Sequence, residues 1–290
     1  MIRSETYSTP GPVRLDLDVP WGEVQIDAGN TDETHVELEA LSRSERVREL
    51  VASARIEHVR RGDGHEVVVS VRGRHGFWIS FGDDGGPDLS LRITCPHGAD
   101  LDVRTRSADL EARGEFGSAE VKTASGDIEV QETRGELKVK TASGDIHVER
   151  VGSSLDVNSV SGDLHVGSVA ADVRAQLVSG DVSVGEVGGS ISANTVSGDQ
   201  RFEAIERGRV DLKAISGSVN VGIRRGSRLY VDANTVSGST SSELELSDSP
   251  SEQPSEDAPL VELFVKTVSG DIRIDRAPAR AVPAEVSESA

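Results

Sequence analysis

Short runs of alternating apolar and polar residues, interrupted by Ser-Gly pairs, repeat along most of the chain. The pairs are spaced 18, 18, 18, 18, 19, 21 and 32 residues apart. Their serines are Ser125, Ser143, Ser161, Ser179, Ser197, Ser216, Ser237 and Ser269. A degenerate copy at Ser107 lies 18 residues before the first pair and brings the number of copies to nine. A fixed period of this kind indicates a repeat architecture.

Aliphatic residues occupy the same positions in almost every copy. In the copy at Ser143, Leu137 and Val139 precede the Ser-Gly pair, and Ile146 and Val148 follow it. Alternation with a period of two in such short runs predicts a half-buried strand on each side of a turn. The glycine suits a backbone position with positive φ, and the flanking serine and aspartate suit a turn. Each unit is therefore predicted to be strand, turn, strand, turn.

Two topologies fit this unit: a β-solenoid with one unit per coil, or an antiparallel meander of hairpins. In a solenoid, equivalent residues of successive coils lie about 4.8 Å apart, so like residues form ladders. Two polar columns have this character. One contains Thr123, Thr141, Ser159, Thr195, Thr235 and Thr267, and the other Lys122, Lys140, Asn158, Gln176, Asn194, Lys213, Asn234 and Lys266. A meander requires only the alternation, so the columns favour an all-β solenoid of about nine coils.

The domain organisation follows from where the repeat begins and ends. Residues 1–100 are predicted to form a β-rich N-terminal cap, and residues 101–276 the solenoid. The pattern Ser42-x-x-Glu45 is typical of a capping box and precedes apolar residues at helical spacing, which predicts one helix near 44–54. Residues 243–259 contain six acidic residues, three prolines and no lysine or arginine, and are predicted to be a disordered insertion. The tail 277–290 is also predicted to be disordered.

Two inward positions break the aliphatic pattern. Gln200 and Thr240 stand where the other copies have Ile, Leu or Val. We expect the coils that contain them to be locally weak, because a polar side chain in the core lacks the stabilisation that apolar burial provides.

Charge and cysteine content narrow the possible partners and location. The net charge of −19 argues against binding to nucleic acid or to an anionic membrane surface. Cys95 is the single cysteine, so neither an intramolecular disulfide nor a cysteine metal cluster is expected. The sequence as written shows no apolar leader and no apolar run of 18 residues, which predicts a cytoplasmic protein without membrane insertion. A cell-surface location is the alternative.

The iterated phrase Thr-x-Ser-Gly-Asp-Ile-x-Val, after a β-rich N-terminal stretch, resembles the bacterial DUF4097-type family of β-strand-repeat proteins that carry an adhesin label. The resemblance covers roughly residues 10–276. It implies a right-handed β-solenoid and an adhesin-like binding role, and it brings no catalytic residues with it.

One column of acidic residues is a candidate metal site. The solenoid would place Asp127, Asp145, Asp163, Asp181 and Asp199 in adjacent coils, where neighbouring charges about 4.8 Å apart repel by roughly 0.9 kcal/mol in water. Hydrogen bonds from turn N–H groups are the favoured explanation of how this repulsion is offset. The alternative is Ca²⁺ between coils, as in nonapeptide β-rolls, although the Gly-Gly-x-Gly-x-Asp signature of those proteins is absent.

Outward columns raise two further alternatives. His147 and His165 share a column, but two ligands make a poor metal site, and solvated histidines are favoured. Glu129, the two histidines and Arg201 would lie on one outer face, as the acidic and basic residues of carbohydrate-active β-helix enzymes do. The short loops between coils argue against a catalytic cleft. Trp21 and Trp78 lie outside the repeats and suit the core of the cap better than a sugar platform.

The sequence thus predicts a non-enzymatic β-solenoid scaffold that binds an unknown protein or glycan partner. No catalytic, cofactor or metal site is assigned to any residue. The outward Lys, Asn, Gln and Thr columns offer a repeating face for such a partner, and the acidic insertion suits a basic one. The calcium-stabilised repeat protein and the carbohydrate-active enzyme remain the alternatives.

Overall fold

The computed structural model describes residues 1–42, 44–71, 89–242 and 258–277. Trp78, residues 243–257 of the predicted insertion and residues 278–290 of the predicted tail lie outside these ranges.

One helix and twenty-three strands make up the described parts of the chain. In the N-terminal region these are β1 (Ile2–Ser8), β2 (Val13–Gly29), β3 (Glu33–Ala40), α1 (Glu45–Ser53), β4 (Arg55–Arg61), β5 (Gly64–Ser70), β6 (Leu89–Pro96) and β7 (Asp100–Phe116). The repeats contribute β8 (Ala119–Lys122), β9 (Ile128–Thr133), β10 (Leu137–Thr141), β11 (Ile146–Val151), β12 (Leu155–Ser161), β13 (Leu164–Val169), β14 (Val173–Ser179), β15 (Val182–Val187), β16 (Ile191–Ser197), β17 (Gln200–Ile205), β18 (Gly208–Ser216), β19 (Val219–Ile223), β20 (Arg228–Ser237), β21 (Thr240–Ser242), β22 (Leu260–Ser269) and β23 (Ile272–Arg276).

The solenoid prediction is confirmed by parallel, in-register pairing between successive copies. Strand β10 pairs in parallel with both β8 and β12, so Val139 lies between Val121 and Val157. The even-numbered strands from β8 to β18 form one row, and the odd-numbered strands from β9 to β19 form the other. A meander of hairpins would pair these strands antiparallel. The aliphatic columns of both rows are buried between them, as the alternation predicts.

Two long strands each supply a complete coil. The first half of β7 pairs with β8 and its second half pairs with β9. Strand β2 runs parallel to β7 over nearly its whole length, with Trp21 opposite Ser107 and Gly22 opposite Ala108. The parallel pairing therefore continues through β2 into the segment that the sequence assigns to the N-terminal cap.

The N-terminal end of the rod is closed by antiparallel strands and the helix. Strands β5 and β6 pair in parallel with the two halves of β2. Strand β4 continues one row beside β5, while β3 and β1 continue the other beside β6, all antiparallel. Helix α1 contacts β1 and β3 and buries Val47, Leu50 and Val51. Its buried stripe lies at the helical spacing that the sequence shows.

At the other end, the coils do not stack in sequence order. Strand β22 pairs with β18 on one side and β20 on the other, and β23 lies likewise between β19 and β21. The last repeat in the sequence is therefore inserted beneath the one before it, and β20–β21 forms the terminal coil. The segment between β21 and β22 connects the outermost coil back to the one below it.

The glutamine at the inward position is accommodated by two donated hydrogen bonds. Gln200 is fully buried, and its Nε2 donates to Thr195 Oγ1 at 2.9 Å and to the Lys213 carbonyl at 2.8 Å. Its Oε1 is buried with no hydrogen-bond partner. The local weakness of this coil stays a prediction, with this unpaired oxygen as its physical cause.

No helix in the described parts of the chain is long and apolar enough to cross a membrane.

Candidate functional site

The Ser-Gly-Asp turns stack into one long edge of the rod, which we call the turn edge. It comprises residues 106–109, 124–127, 142–145, 160–163, 178–181, 196–199, 215–218, 268–271 and 236–239. The central glycines have positive φ, for example +124° at Gly180. A Cβ atom built on Gly180 would lie 2.1 Å from the carbonyl oxygen of Gly162 in the coil below. Glycine is thus required both for the turn and for the close approach of successive coils.

The predicted aspartate column lies along this edge, and its carboxylates make the turn hydrogen bonds expected from the sequence. Oδ1 of each aspartate accepts the backbone N–H of the equivalent residue in the next coil, at 2.7–3.0 Å. The acceptors in this series are Asp109, Asp127, Asp145, Asp163, Asp181 and Asp199. These bonds place one carboxylate oxygen against a peptide dipole, which offsets the repulsion between neighbouring charges.

The last carboxylate of this column shows the electrostatic consequence. Asp271 accepts the backbone N–H of Ser239 at 2.8 Å and its hydroxyl at 2.9 Å. These two bonds hold the pKa of the Asp271 carboxyl below its usual value.

Within residues 1–42, 44–71, 89–242 and 258–277, no group of three or more His, Cys, Asp or Glu side chains is arranged to hold a metal ion. Calcium binding by the aspartate column stays the untested alternative to these hydrogen bonds.

A row of exposed aliphatic side chains runs beside the aspartates. We call it the valine ladder: Val160, Val178, Val196, Ile215, Val268 and Val236, in their spatial order along the rod. Each member is at least 45% exposed. The two preceding coils carry Ala124 and Ala142 at this position, so the ladder occupies the C-terminal half of the rod. Contiguous exposed apolar side chains of this kind mark interaction sites.

Our sequence reasoning missed the valine ladder although the signal was present. Each member directly precedes the Ser of a Ser-Gly pair, so it forms a column as regular as the threonine column one residue earlier. Alternation places each ladder residue outward and the threonine column inward. Thr141, Ser159, Thr195 and Thr267 are buried, so the prediction that this column faces outward is wrong. A column of aliphatic residues at an outward position is the signal that identifies the ladder.

The candidate catalytic column does form a continuous line on the outer face of the row of odd-numbered strands from β9 to β17. Glu129 lies opposite His147, His147 opposite His165, and Ser183 between His165 and Arg201. The two imidazole rings stack with centroids 5.1 Å apart and an interplanar angle of 5°. Two open surface depressions, one beside Arg14 and His65 and one along the starts of β12 to β18, contain none of these residues.

A second histidine pair lies in the N-terminal cap. His58 Nε2 and His65 Nδ1 are 2.8 Å apart, and the His58 ring also packs at 5.2 Å from Tyr7. Burial lowers the pKa of His58, and the neighbouring His65 and Arg60 lower it further. A single proton can be shared across this contact, so the pair is stable only when at least one ring is neutral.

The remaining candidate residues have structural positions. Trp21 is partly buried and packs against the core, but it lies in the coil formed by β2, opposite Ser107, and not outside the coils as predicted. Cys95 is buried in β6, and burial raises the pKa of its thiol to about 12.

Comparisons with known proteins give one family and several structural relatives. The family model described as Toastrack DUF4097 matches residues 14–275. A "putative adhesin" from Bacteroides fragilis is 12% identical, with 94% of this chain and 97% of that chain covered and a TM-score of 0.46. A "putative adhesin" from Parabacteroides distasonis is 10% identical, with coverage of 94% and 97% and a TM-score of 0.39. A "putative lipid binding protein" from the same species is 10% identical, with coverage of 96% and 97% and a TM-score of 0.30. No curated protein matches the chain.

Proposed function

The chain belongs to the Toastrack DUF4097 family, and from this premise we propose that it is a non-enzymatic scaffold that binds a partner protein along its valine ladder. The observation that carries the proposal is the ladder itself. Six exposed aliphatic side chains stand in register on a parallel ladder, over five steps of about 4.8 Å each. The row is therefore about 24 Å long, which suits an extended segment or a helix of a partner.

The chemistry of the turn edge favours a protein over a glycan. The ladder contains Val and Ile and lacks the aromatic ring that would serve as a platform for a sugar. Aliphatic side chains are instead complementary to an apolar strip on a protein segment. An aspartate lies three residues after the ladder residue in four of the six turns, as Asp163 does after Val160, and a serine takes this position in the other two. A partner segment with a row of apolar side chains flanked by basic ones would match both columns.

Two features support the non-enzymatic part of the proposal. The charged and imidazole side chains of the Glu129 column lie along a sheet face, outside the two depressions described above. The aspartates of the turn edge each use Oδ1 to bind a backbone N–H, which is a structural task.

The proposal is tested by comparing partner recovery with matched surface variants. The double variant Val178→Ser, Val196→Ser removes the centre of the ladder at positions already half exposed, so the fold should tolerate it. The control variant His147→Ser, His165→Ser changes two stacked residues on another face. After chemical crosslinking in the native cells, we expect a partner to be recovered with wild type and with the control, and to be lost with the ladder variant.

Two results would contradict the proposal. Equal recovery of the partner by the ladder variant and wild type would remove the ladder from binding. Binding of the purified protein to immobilised glycans, unchanged in the ladder variant, would replace the protein partner by a glycan at another face.

A further inference from the structure

The two ends of the rod are built differently. At the N-terminal end, antiparallel strands and α1 cover the interior, and α1 buries three aliphatic residues there. At the C-terminal end, β20 pairs only with β22 and β21 only with β23 within the described residues. Repeat proteins generally need a capping unit at each end.

Alternate backbone N–H groups of the terminal coil point away from the rod. In the interior, the Leu155 N–H donates to the Asp172 carbonyl of the next coil. Val231 is the equivalent residue of β20, as its alignment with Leu263 shows, and no next coil follows it among the residues that the structure describes. The Arg228 N–H donates to the Pro259 carbonyl of the coil below. Because successive N–H groups of a strand point to opposite sides, the N–H of Val231 points away from that coil. Val231 is also 39% exposed, whereas Leu263 is fully buried.

The edge lacks the features that prevent edge-to-edge association. Strand β20 is ten residues long, and its pairing with β22 has no register shift. Residues 228–242 contain no proline, lysine or glutamate, and their charges are one arginine and one aspartate. The terminal coil is thus neutral in a chain of net charge −19. Natural edge strands are usually protected by lysines, prolines or bulges.

We propose that two copies of the chain associate end to end through β20, with the two strands antiparallel and centred on Tyr230. In this register, Arg228 of each copy lies opposite Asp232 of the other. Both side chains are on the solvent-facing side of the strand, as Tyr230 is. A register centred on Asp232 would instead place two carboxylates opposite each other. The inward residues Leu229 and Val231 would then face each other across the junction and extend the core.

The size of the contact sets its strength. A ten-residue strand is about 33 Å long, and packed sheets lie about 10 Å apart. The area of the end face is therefore smaller than that of a standard protein–protein interface. Association should therefore be reversible, with a dissociation constant in the micromolar range.

Charge reversal tests both the edge and the register. The molecular mass of the full chain is measured by sedimentation across a concentration series, with Arg228→Asp, Asp232→Arg and the double variant. We expect wild type to dimerise, each single variant to weaken dimerisation at least tenfold, and the double variant to restore it. Arg106→Asp makes the same charge change far from the end and should leave dimerisation unchanged. Thermal unfolding of each variant checks that the rod is intact.

Several outcomes would overturn the proposal. A wild type that is monomeric throughout the series, with the Val231 amide protected from hydrogen exchange, would show that another segment of the same chain covers the edge. A monomer with that amide unprotected would show a free edge without a partner copy. A dimer that Arg228→Asp does not weaken, or that the double variant does not restore, would contradict the antiparallel register at Tyr230.

Discussion

The stacked glycines of the turn edge make a prediction that separates two physical causes. Gly180→Ala introduces a side chain at φ +124°, and its Cβ would lie 2.1 Å from the carbonyl oxygen and 2.7 Å from the carbonyl carbon of Gly162. Gly62→Ala introduces one at φ +61°, where no atom lies within 4 Å of the Cβ position. Both variants lose stability because alanine must adopt an unusual backbone conformation. Only Gly180→Ala also pushes two coils apart.

The magnitudes follow from these two terms. A left-handed alanine costs about 1–2 kcal/mol, which is the loss expected for Gly62→Ala. At Gly180, backbone strain of about 1–3 kcal/mol and a similar cost for displacing a packed backbone together give a loss of about 2–6 kcal/mol. Gly29→Ala is the matched control, because the φ of Gly29 is not in the left-handed region and no atom lies within 4 Å of its Cβ position.

Urea unfolding followed by far-UV circular dichroism measures all three losses, and equal slopes validate the comparison. We expect Gly29→Ala to unfold like wild type and Gly180→Ala to be the least stable. Equal losses for Gly180→Ala and Gly62→Ala would refute the close stacking of the glycines, since the backbone term alone would then account for both.

Four further predictions concern buried and titratable groups. Gln200→Leu should raise the free energy of unfolding by about 1 kcal/mol and slow hydrogen exchange in its coil, because it removes the unpaired Oε1; faster exchange would show that the two donated bonds matter more. The pKa of His58 in the folded protein lies below its unfolded value near 6.5, so the unfolded chain binds the proton more readily. Stability should therefore fall as the pH drops through about 6.5. His58→Gln should abolish this loss, and an unchanged pH profile of stability in that variant would rule out the histidine pair as its source. The thiol of Cys95 should resist a disulfide reagent at pH 8 until the protein unfolds, because its pKa is about 12; rapid modification of the native protein would contradict its burial. Calcium added after chelation should leave the melting temperature unchanged, and a rise that Asp163→Asn removes would establish the calcium alternative.

The sequence predicted the coils because their information is local and repeated. Val139 stands in the same column as Val121 and Val157, and the structure pairs the three in register. The single helix was equally readable, since Val47 and Leu50 lie at helical spacing. In both cases the buried residues follow directly from the period of the pattern.

The order of the last two coils was not predicted, because identical columns allow any coil to pair with any other. Leu263 fits beside Val210 and beside Val231, and it contacts both. The deciding feature is polarity: Thr240 and Ser242 stand where β23 has Ile272 and Ile274. A coil with polar inward residues is less costly at the end of the rod, where they are exposed, than in the middle.

The valine ladder was missed for a different reason. Alternation places its residues outward, but the threonine column beside it was also predicted to face outward, which hid the single row of exposed aliphatic residues. Only the stacking of the coils shows that Val160, Val178 and Val196 form one exposed row.

Binding along the valine ladder is tested most directly with a photo-crosslinking amino acid at position 178 of the ladder. A second variant carries the same amino acid at position 165, on the outer face of the odd-numbered strands. After irradiation in the native cells, we expect a discrete crosslinked product with a protein partner from position 178 and none from position 165. A product from position 165 alone, or the same products from both positions, would contradict binding along the valine ladder.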